Sequence, residues 1–202
     1  MNLDNQNLEW KLCEAYFSIL EISMSSDISI DKLCMEAKIS KEEAETIIPN
    51  NPMDHRNFFL KILISKLDRD VLTELKVDIA DDTVSSTYDK ILEGFSLRFE
   101  KYFQYKQPLK ILSNSYKQRI EVFLNVFLEN YNFSSNLLTL IEGDQNCVIK
   151  TLKSLALNIV FTKSLEIFFK DEQKDIDKVI RYLDKYLSDM EDVGLFMGVI
   201  KK

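Results

Sequence analysis

His55 is the only histidine in the chain. The sequence is therefore read as holding no Ser-His-Asp or Cys-His set and no histidine metal cluster, because those chemistries need an imidazole placed among partners of matching type. Paired carboxylates are plentiful: Glu42 with Glu43, Asp81 with Asp82, and Asp171 with Glu172. Each pair falls at a predicted helix end or on a polar face, where carboxylates cap helices and meet water rather than move protons. Cys13, Cys34 and Cys147 lack metal-ligand spacing and are odd in number. They are expected on apolar faces as small core residues, in a reducing compartment. No glycine-rich phosphate loop occurs. The expectation is a protein without catalytic residues, metal or cofactor. Binding is the chemistry left. Phe58, Phe59, Phe95, Phe99, Tyr102, Phe103, Phe123, Phe127 and Tyr131 recur at helical spacing. They read either as ordinary core or as walls of an apolar cavity, and Phe59, Phe95, Phe99, Tyr102, Phe103, Phe123 and Phe127 are the pocket candidates.

The elements that must position these side chains are helices. Over 202 residues there are four glycines and three prolines, and no glycine precedes Gly94. So few breakers favour long helices over a sheet rich in turns. Hydrophobic residues at 46% and charged residues at 29% are ordinary for a globular chain long enough to bury a core. Apolar spacing predicts a first helix over 8–23 with Leu12, Ala15, Tyr16, Ile19 and Ile22 inward. A later helix over 53–75 carries Phe58, Phe59, Ile62, Leu63, Leu67 and Leu72. Asp81 and Asp82 mark a loop and the start of a helix over 85–105. Gln107 and Pro108 break the chain before a short helix over 109–113. A helix over 116–131 places Ile120, Phe123, Leu124, Phe127 and Leu128 inside, and 134–143 forms a helical turn or two closed by Gly143. The stretch 145–169 is apolar on more than one side, which implies burial against its own body and against something else, such as a second subunit. A last helix runs over 175–190. The reading is all-α, about nine helices.

Between the first helix and the one over 53–75 lies the stretch Ile28 to Pro49. Ser29 precedes Ile30, Leu33, Cys34 and Ala37, which share one helical face. Ser40 opens a second short helix with a capping box to Glu43, Ala44, Ile47 and Ile48 bury its inner face, and Pro49 stops it. Two short helices across a tight turn, with a longer helix in front, make a helix-turn-helix layout. It divides the chain into a three-helix head, 1–52, and a helical remainder, 53–202.

On Ser29, Ile30, Leu33, Ala37, Ile39, Ser40, Lys41, Ile48 and Pro49 the head resembles the DNA-binding domain of the TetR family of regulators. The tail, Phe168 to Asp175 followed by Tyr182-Leu183-Asp184-Lys185-Tyr186-Leu187, is similar to one TetR subgroup and to the TetR-fold lipid-binding accessory family of ubiquinone biosynthesis. The resemblance implies a homodimer joined through the last two main helices, with interface candidates Phe161, Leu165, Phe168, Val179, Tyr182, Leu183 and Tyr186. It also implies an apolar ligand cavity among the middle helices, and DNA contacts from Ser29, Lys38, Ser40, Lys41 and Thr46. Three positions depart from the family pattern: Lys38 stands where the turn usually has glycine, Glu45 where an aromatic meets the phosphate backbone, and Asn50 and Asn51 where a lysine often follows.

Charge bears on that implication. From Met1 to His55 there are four lysines against eleven carboxylates, so this stretch alone carries the chain's net −7. Phosphate neutralisation by Lys and Arg supplies most non-specific DNA affinity, and an acidic head repels duplex DNA. Two functions are therefore carried forward. One is a regulator responding to an apolar small molecule, with weak or lost DNA binding. The other is a lipid- or quinone-binding accessory protein that keeps the head as scaffold. The tail over 193–202, apolar with two final lysines, packs on its own body or a dimer mate, or touches a membrane surface. With no targeting signal and no transmembrane run, the expected location is the cytoplasm.

Overall fold

The computed structural model describes residues 3–24, 28–51, 54–116, 120–143, 146–172 and 175–196, with side chains described from 6 to 114 and from 124 to 190 within those ranges. Among the described residues the chain is all-α, as expected, with nine helices and no strand. They are α1 (Leu3–Ser23), α2 (Ile30–Ala37), α3 (Lys41–Ile47), α4 (His55–Asp78), α5 (Thr87–Phe103), α6 (Lys106–Tyr116), α7 (Ile120–Glu142), α8 (Cys147–Lys170) and α9 (Asp177–Phe196). The chain divides into two compact units. Unit 1 is Met1–Lys66 with Tyr105–Val126, and unit 2 is Leu67–Gln104 with Phe127–Lys202. The unit that holds α1–α3 thus also takes the first half of α4, and α6.

In unit 1, α1 packs against α2, α3 and α6. Its buried stripe is Leu12, Cys13, Tyr16, Phe17 and Leu20, with Ala15 and Ile19 beside it. Tyr16 stacks on Phe59 of α4 at 4.6 Å, and Phe17 meets Tyr105 edge-on at 5.8 Å. The Cys13 thiol donates to the Phe59 carbonyl at 3.4 Å, and burial pushes that thiol far above its ordinary range, which leaves it unreactive. Ile22, expected inside, is 82% exposed. It lies two residues from Leu20, roughly 200° round the helix, so both cannot face inward. The Gln107–Pro108 break is also corrected. Both residues sit in the first turn of α6, where proline's missing N–H needs no intrahelical partner.

In unit 2, α9 packs against α8 and α5. The Tyr88 hydroxyl of α5 lies 2.7 Å from Asp184 Oδ1 on α9, and Lys101 of α5 pairs with Glu74 of α4 at 2.8 Å. Lys153 of α8 reaches both oxygens of Glu142 on α7 at 3.0 Å. Gly94 allows a close approach of helices: a Cβ there would stand 2.7 Å from Leu137 Cδ1 and 3.1 Å from Leu75 Cδ2. The segment 134–143 is no separate turn. It continues α7, which ends where Gly143 adopts φ +72°. Its polar residues do not interrupt the helix because their hydroxyls turn back onto it: Ser134 donates to Asn130 O and Thr139 to Ser135 O. One long helix can turn only one stripe inward. Phe133, Leu137 and Leu138 take that place, so Leu124 and Leu128, expected inside, are about half exposed. Cys147 is exposed rather than core.

The Asp81–Asp82 loop is built differently from expectation as well. Asp82 Oδ1 accepts from the N–H groups of Val84 and Ser85 at 2.9 and 3.0 Å, while Ser86 caps α5 through a capping box with Asp89. Hydrogen bonds from the Ser85 side chain, its backbone, and the Val84 backbone hold the Asp82 carboxyl down at about 2. A carboxylate depressed in the fold contributes stability that is present above its ordinary range, near 4, and is lost as pH falls through about 2. Asp82→Asn is therefore expected to lower the melting temperature at neutral pH and to flatten the acid limb of the stability profile. Melting curves whose acid limb matches the parent chain's would show that the loop does not depend on this charge.

Candidate functional site

The α2–α3 motif is held by local chemistry. The Ser29 hydroxyl accepts from Lys32 N at 3.4 Å at the start of α2. At its end Lys38 adopts the left-handed conformation, φ 54° and ψ 46°, and donates its N–H to the Cys34 carbonyl. Ser40 and Glu43 form the capping box expected from their spacing: Glu43 N donates to Ser40 Oγ at 3.2 Å, and Ser40 N to Glu43 Oε2 at 3.1 Å. The two Ser40 hydrogen bonds, side chain first, lower the Glu43 carboxyl. Leu33, Cys34, Ala44 and Ile48 are buried. His55 Nε2 lies 2.8 Å from the Pro49 carbonyl. A carbonyl only accepts, so Nε2 carries the proton, and the single histidine pins the exit of the motif.

All five DNA-contact candidates are exposed on this motif. Most are already engaged. Ser29 and Ser40 are caps, and the Thr46 hydroxyl donates to the Glu43 carbonyl at 2.7 Å. Lys41, the one base on α3, pairs with Asp31 of α2 at 2.8 Å, and that hydrogen bond raises its ammonium. Glu42, Glu43 and Glu45 are exposed on the same short helix. An exposed ion pair adds little stability, but this one turns the only α3 cation toward the protein's own carboxylate.

The aromatic candidates do not form one group. Phe59 belongs to unit 1, stacked on Tyr16 and edge-on to Phe58. Phe95, Phe99 and Tyr102 of α5 lie buried in unit 2 against Phe161 at 5.3, 4.8 and 6.1 Å. Phe99 also meets Phe168 at 5.4 Å, and Phe95 meets Phe133 at 5.8 Å. Phe103 and Phe127 are half-buried, and the Phe127 carbonyl accepts from Asn158 at 3.0 Å. The side chain of Phe123 lies outside the described residues. Rings in mutual contact at these distances fill the space between helices with side chains.

At the centre of the unit 2 cluster stands a pair that periodicity did not single out. Arg98 is fully buried, and its Nε and Nη2 donate to Asp68 Oδ1 and Oδ2 at 2.6 and 2.7 Å. The guanidinium carbon lies 4.2 Å from the Phe133 ring centre and 4.3 Å from that of Phe161. Among the described residues neither Nη1 nor the Tyr102 hydroxyl makes a hydrogen bond of full geometry, but the Tyr102 hydroxyl interacts with both Arg98 and Asp68, and two ring faces flank the guanidinium. Burial pushes the Asp68 carboxyl up to about 6 against the pull of Arg98. Burial lowers Arg98 most, but Asp68 and Tyr102 together offset it and the guanidinium ends raised. The bidentate geometry is that of an ion pair. The signal available in the sequence was positional: Arg98 follows Phe95 by three residues and precedes Tyr102 by four, on the stripe itself.

Of the interface candidates, Phe161, Phe168, Val179 and Leu183 are buried in the chain's own core. Leu165 and Tyr186 are half-buried, and Tyr182 is exposed. Among the described residues no group of three or more His, Cys, Asp or Glu could hold a metal ion, and no helix is long and apolar enough to cross a membrane.

Two outcomes are expected from substitution. Asp68→Asn leaves the buried guanidinium without its counter-charge and costs about 3–5 kcal/mol in denaturant unfolding, whereas Asp68→Leu with Arg98→Met recovers most of that loss. Equal losses in the single and double variants would mean that packing, not charge pairing, dominates. Lys38→Gly removes strain of roughly 1–2 kcal/mol and adds a smaller unfolded-state entropy cost, so the fold gains up to about 1 kcal/mol. A destabilised glycine variant would contradict the strain argument. Comparison with protein-family models and with curated proteins gives no match, so the function rests on this geometry.

Proposed function

We propose that the chain is a TetR-like regulator: a homodimer with a helix-turn-helix head on a helical body that responds to an apolar small molecule, binding duplex DNA weakly. The observation that carries this reading is the α2–α3 motif, which keeps both N-caps, the left-handed turn at Lys38 and a buried apolar underside. Charge sets the strength of binding. Eleven carboxylates against four lysines in the first 55 residues oppose the phosphate contacts that must position any base contact.

A second reading, a lipid- or quinone-binding accessory protein whose head is only scaffold, is favoured by the Lys41–Asp31 pair, which occupies the one α3 cation. Its proposed membrane contact through 193–202 falls on side chains outside the described residues.

The test is a salt titration of duplex binding. The regulator reading expects binding at low salt that weakens as salt rises, with a slope of about one power of salt concentration for each lysine engaged. Asp31→Asn, which frees Lys41 and removes a carboxylate, is expected to raise affinity roughly three- to tenfold at low salt. Absence of duplex binding at low salt by both the parent chain and Asp31→Asn sinks the regulator. Mass spectrometry of an extracted lipid or isoprenoid would then support the accessory role.

A further inference from the structure

The buried guanidinium of Arg98 commits two of its three nitrogens to Asp68. Nε and Nη2 donate to the two carboxylate oxygens, and Nη1 makes no hydrogen bond of full geometry among the described residues. An N–H left unpaired in the interior is costly, and more so when it belongs to a charged group. An acceptor within reach is therefore worth looking for.

α7 brings one. Glu129 stands four residues before Phe133, so the two side chains lie one above the other on the same helical face. The Phe133 ring centre is 4.2 Å from the guanidinium carbon. The Glu129 carboxylate thus sits about one helical turn from the ring that covers Arg98. Its electrostatic effect agrees with that position. Burial is the main cause that raises both the Asp68 carboxyl and the Tyr102 hydroxyl, and the charge of Glu129 adds to the rise in each. Glu129 is half-buried, and among the described residues it forms no ion pair of its own. Other carboxylates nearby are turned elsewhere. Glu74 pairs with Lys101, and Glu100 is exposed two residues beyond Arg98, on the other side of α5.

We propose that Glu129 is an alternative counter-ion to Arg98, so that the guanidinium exchanges its carboxylate partner on α4 for one on α7. The Asp68 side chain is 11% exposed and Glu129 is half-buried, so both carboxylates border water while Arg98 does not. Turning one out as the other comes in trades one desolvation cost for a similar one. The cation stays paired throughout; what changes is the helix to which α5 is tied. In one arrangement α4 and α5 are locked, in the other α5 and α7. Two discrete pairings of one buried charge make a two-state element that binding to unit 2 can bias.

A double-mutant cycle tests this by thermal melting of the parent, Glu129→Gln, Asp68→Asn and the double variant. The melts are run in about 1 M trimethylamine N-oxide, which keeps a destabilised fold populated. Glu129→Gln alone is expected to raise the melting temperature by about 1–3 °C, because it removes a like charge beside Asp68. Added to Asp68→Asn, the same substitution is expected to lower it by roughly 5 °C, because the guanidinium then loses its remaining counter-ion. The reserve carboxylate also keeps the loss from Asp68→Asn itself at the lower end of the range expected above. Nitrogen-15 relaxation dispersion at Arg98 Nε gives a second readout that needs no change at Asp68. Exchange on the microsecond-to-millisecond scale is expected in the parent chain and should disappear in Glu129→Gln. A merely structural Glu129 would shift the melting temperature in the same direction in both backgrounds and leave the Arg98 profile flat in the parent. Either result overturns the exchange.

Discussion

Arg98 carries its charge with no exposed surface, between the rings of Phe133 and Phe161 and against the carboxylate of Asp68. The rest of unit 2 depends on that arrangement. Removing a guanidinium from water is costly, and the cost is offset only where a counter-ion, donor geometry and polarisable faces meet at one point. Supplying them requires α4, α5, α7 and α8 together: Asp68 from the first, Arg98 and Tyr102 from the second, Phe133 from the third and Phe161 from the fourth. A hydrophobic core tolerates sliding; a bidentate ion pair does not. The pair therefore sets the register of α4 on α5, and the aromatic rings pack outward from it. Gly94, one turn earlier on α5, lets the helices come close enough for the rings to reach.

The head is held by a different kind of interaction. Its α2 and α3 are eight and seven residues long, too short to persist without capping and tertiary contact. Ser29, Ser40 and Glu43 supply the caps, and Lys38 supplies the turn at the cost of a left-handed conformation that glycine adopts freely. The same residues that could meet a nucleic acid are thus occupied in making the motif. Acidic side chains do favour the start of a helix, through its dipole, so Glu42 and Glu43 help α3 to form while opposing a phosphate backbone. Local stability and DNA affinity pull in opposite directions on these few positions.

Where expectation and structure part, the cause is competition for a single inward face. Leu124 and Leu128 on α7 are as apolar as the residues that did go inside, and nothing in their type separates them. A helix of 23 or 24 residues passes several candidate stripes through the core-facing side, and neighbours choose among them. The segment 134–143 reads from sequence as a helical turn or two, yet Ser134 is compatible with a long helix because its hydroxyl bonds to the backbone of that helix. Pro108 shows the same dependence on position, a breaker in mid-helix but harmless in a first turn.

The sequence by itself determined the helical class, the number of helices, the capping box at Ser40 and the acidity of the head. Each of these is a local property, written in the spacing of apolar residues, in hydroxyl and carboxylate positions three apart, or in a count of charges. Only the tertiary structure decided that Arg98 is a buried ion rather than a surface one, that Lys41 faces Asp31, and that Phe59 and Phe95 serve different units. It also decided which face of α8 is left outward. Those outcomes turn on which residues far apart in the chain arrive at one place. Asp68 and Arg98 are 30 residues apart. Periodicity along a single helix carries no information about what waits on the other side.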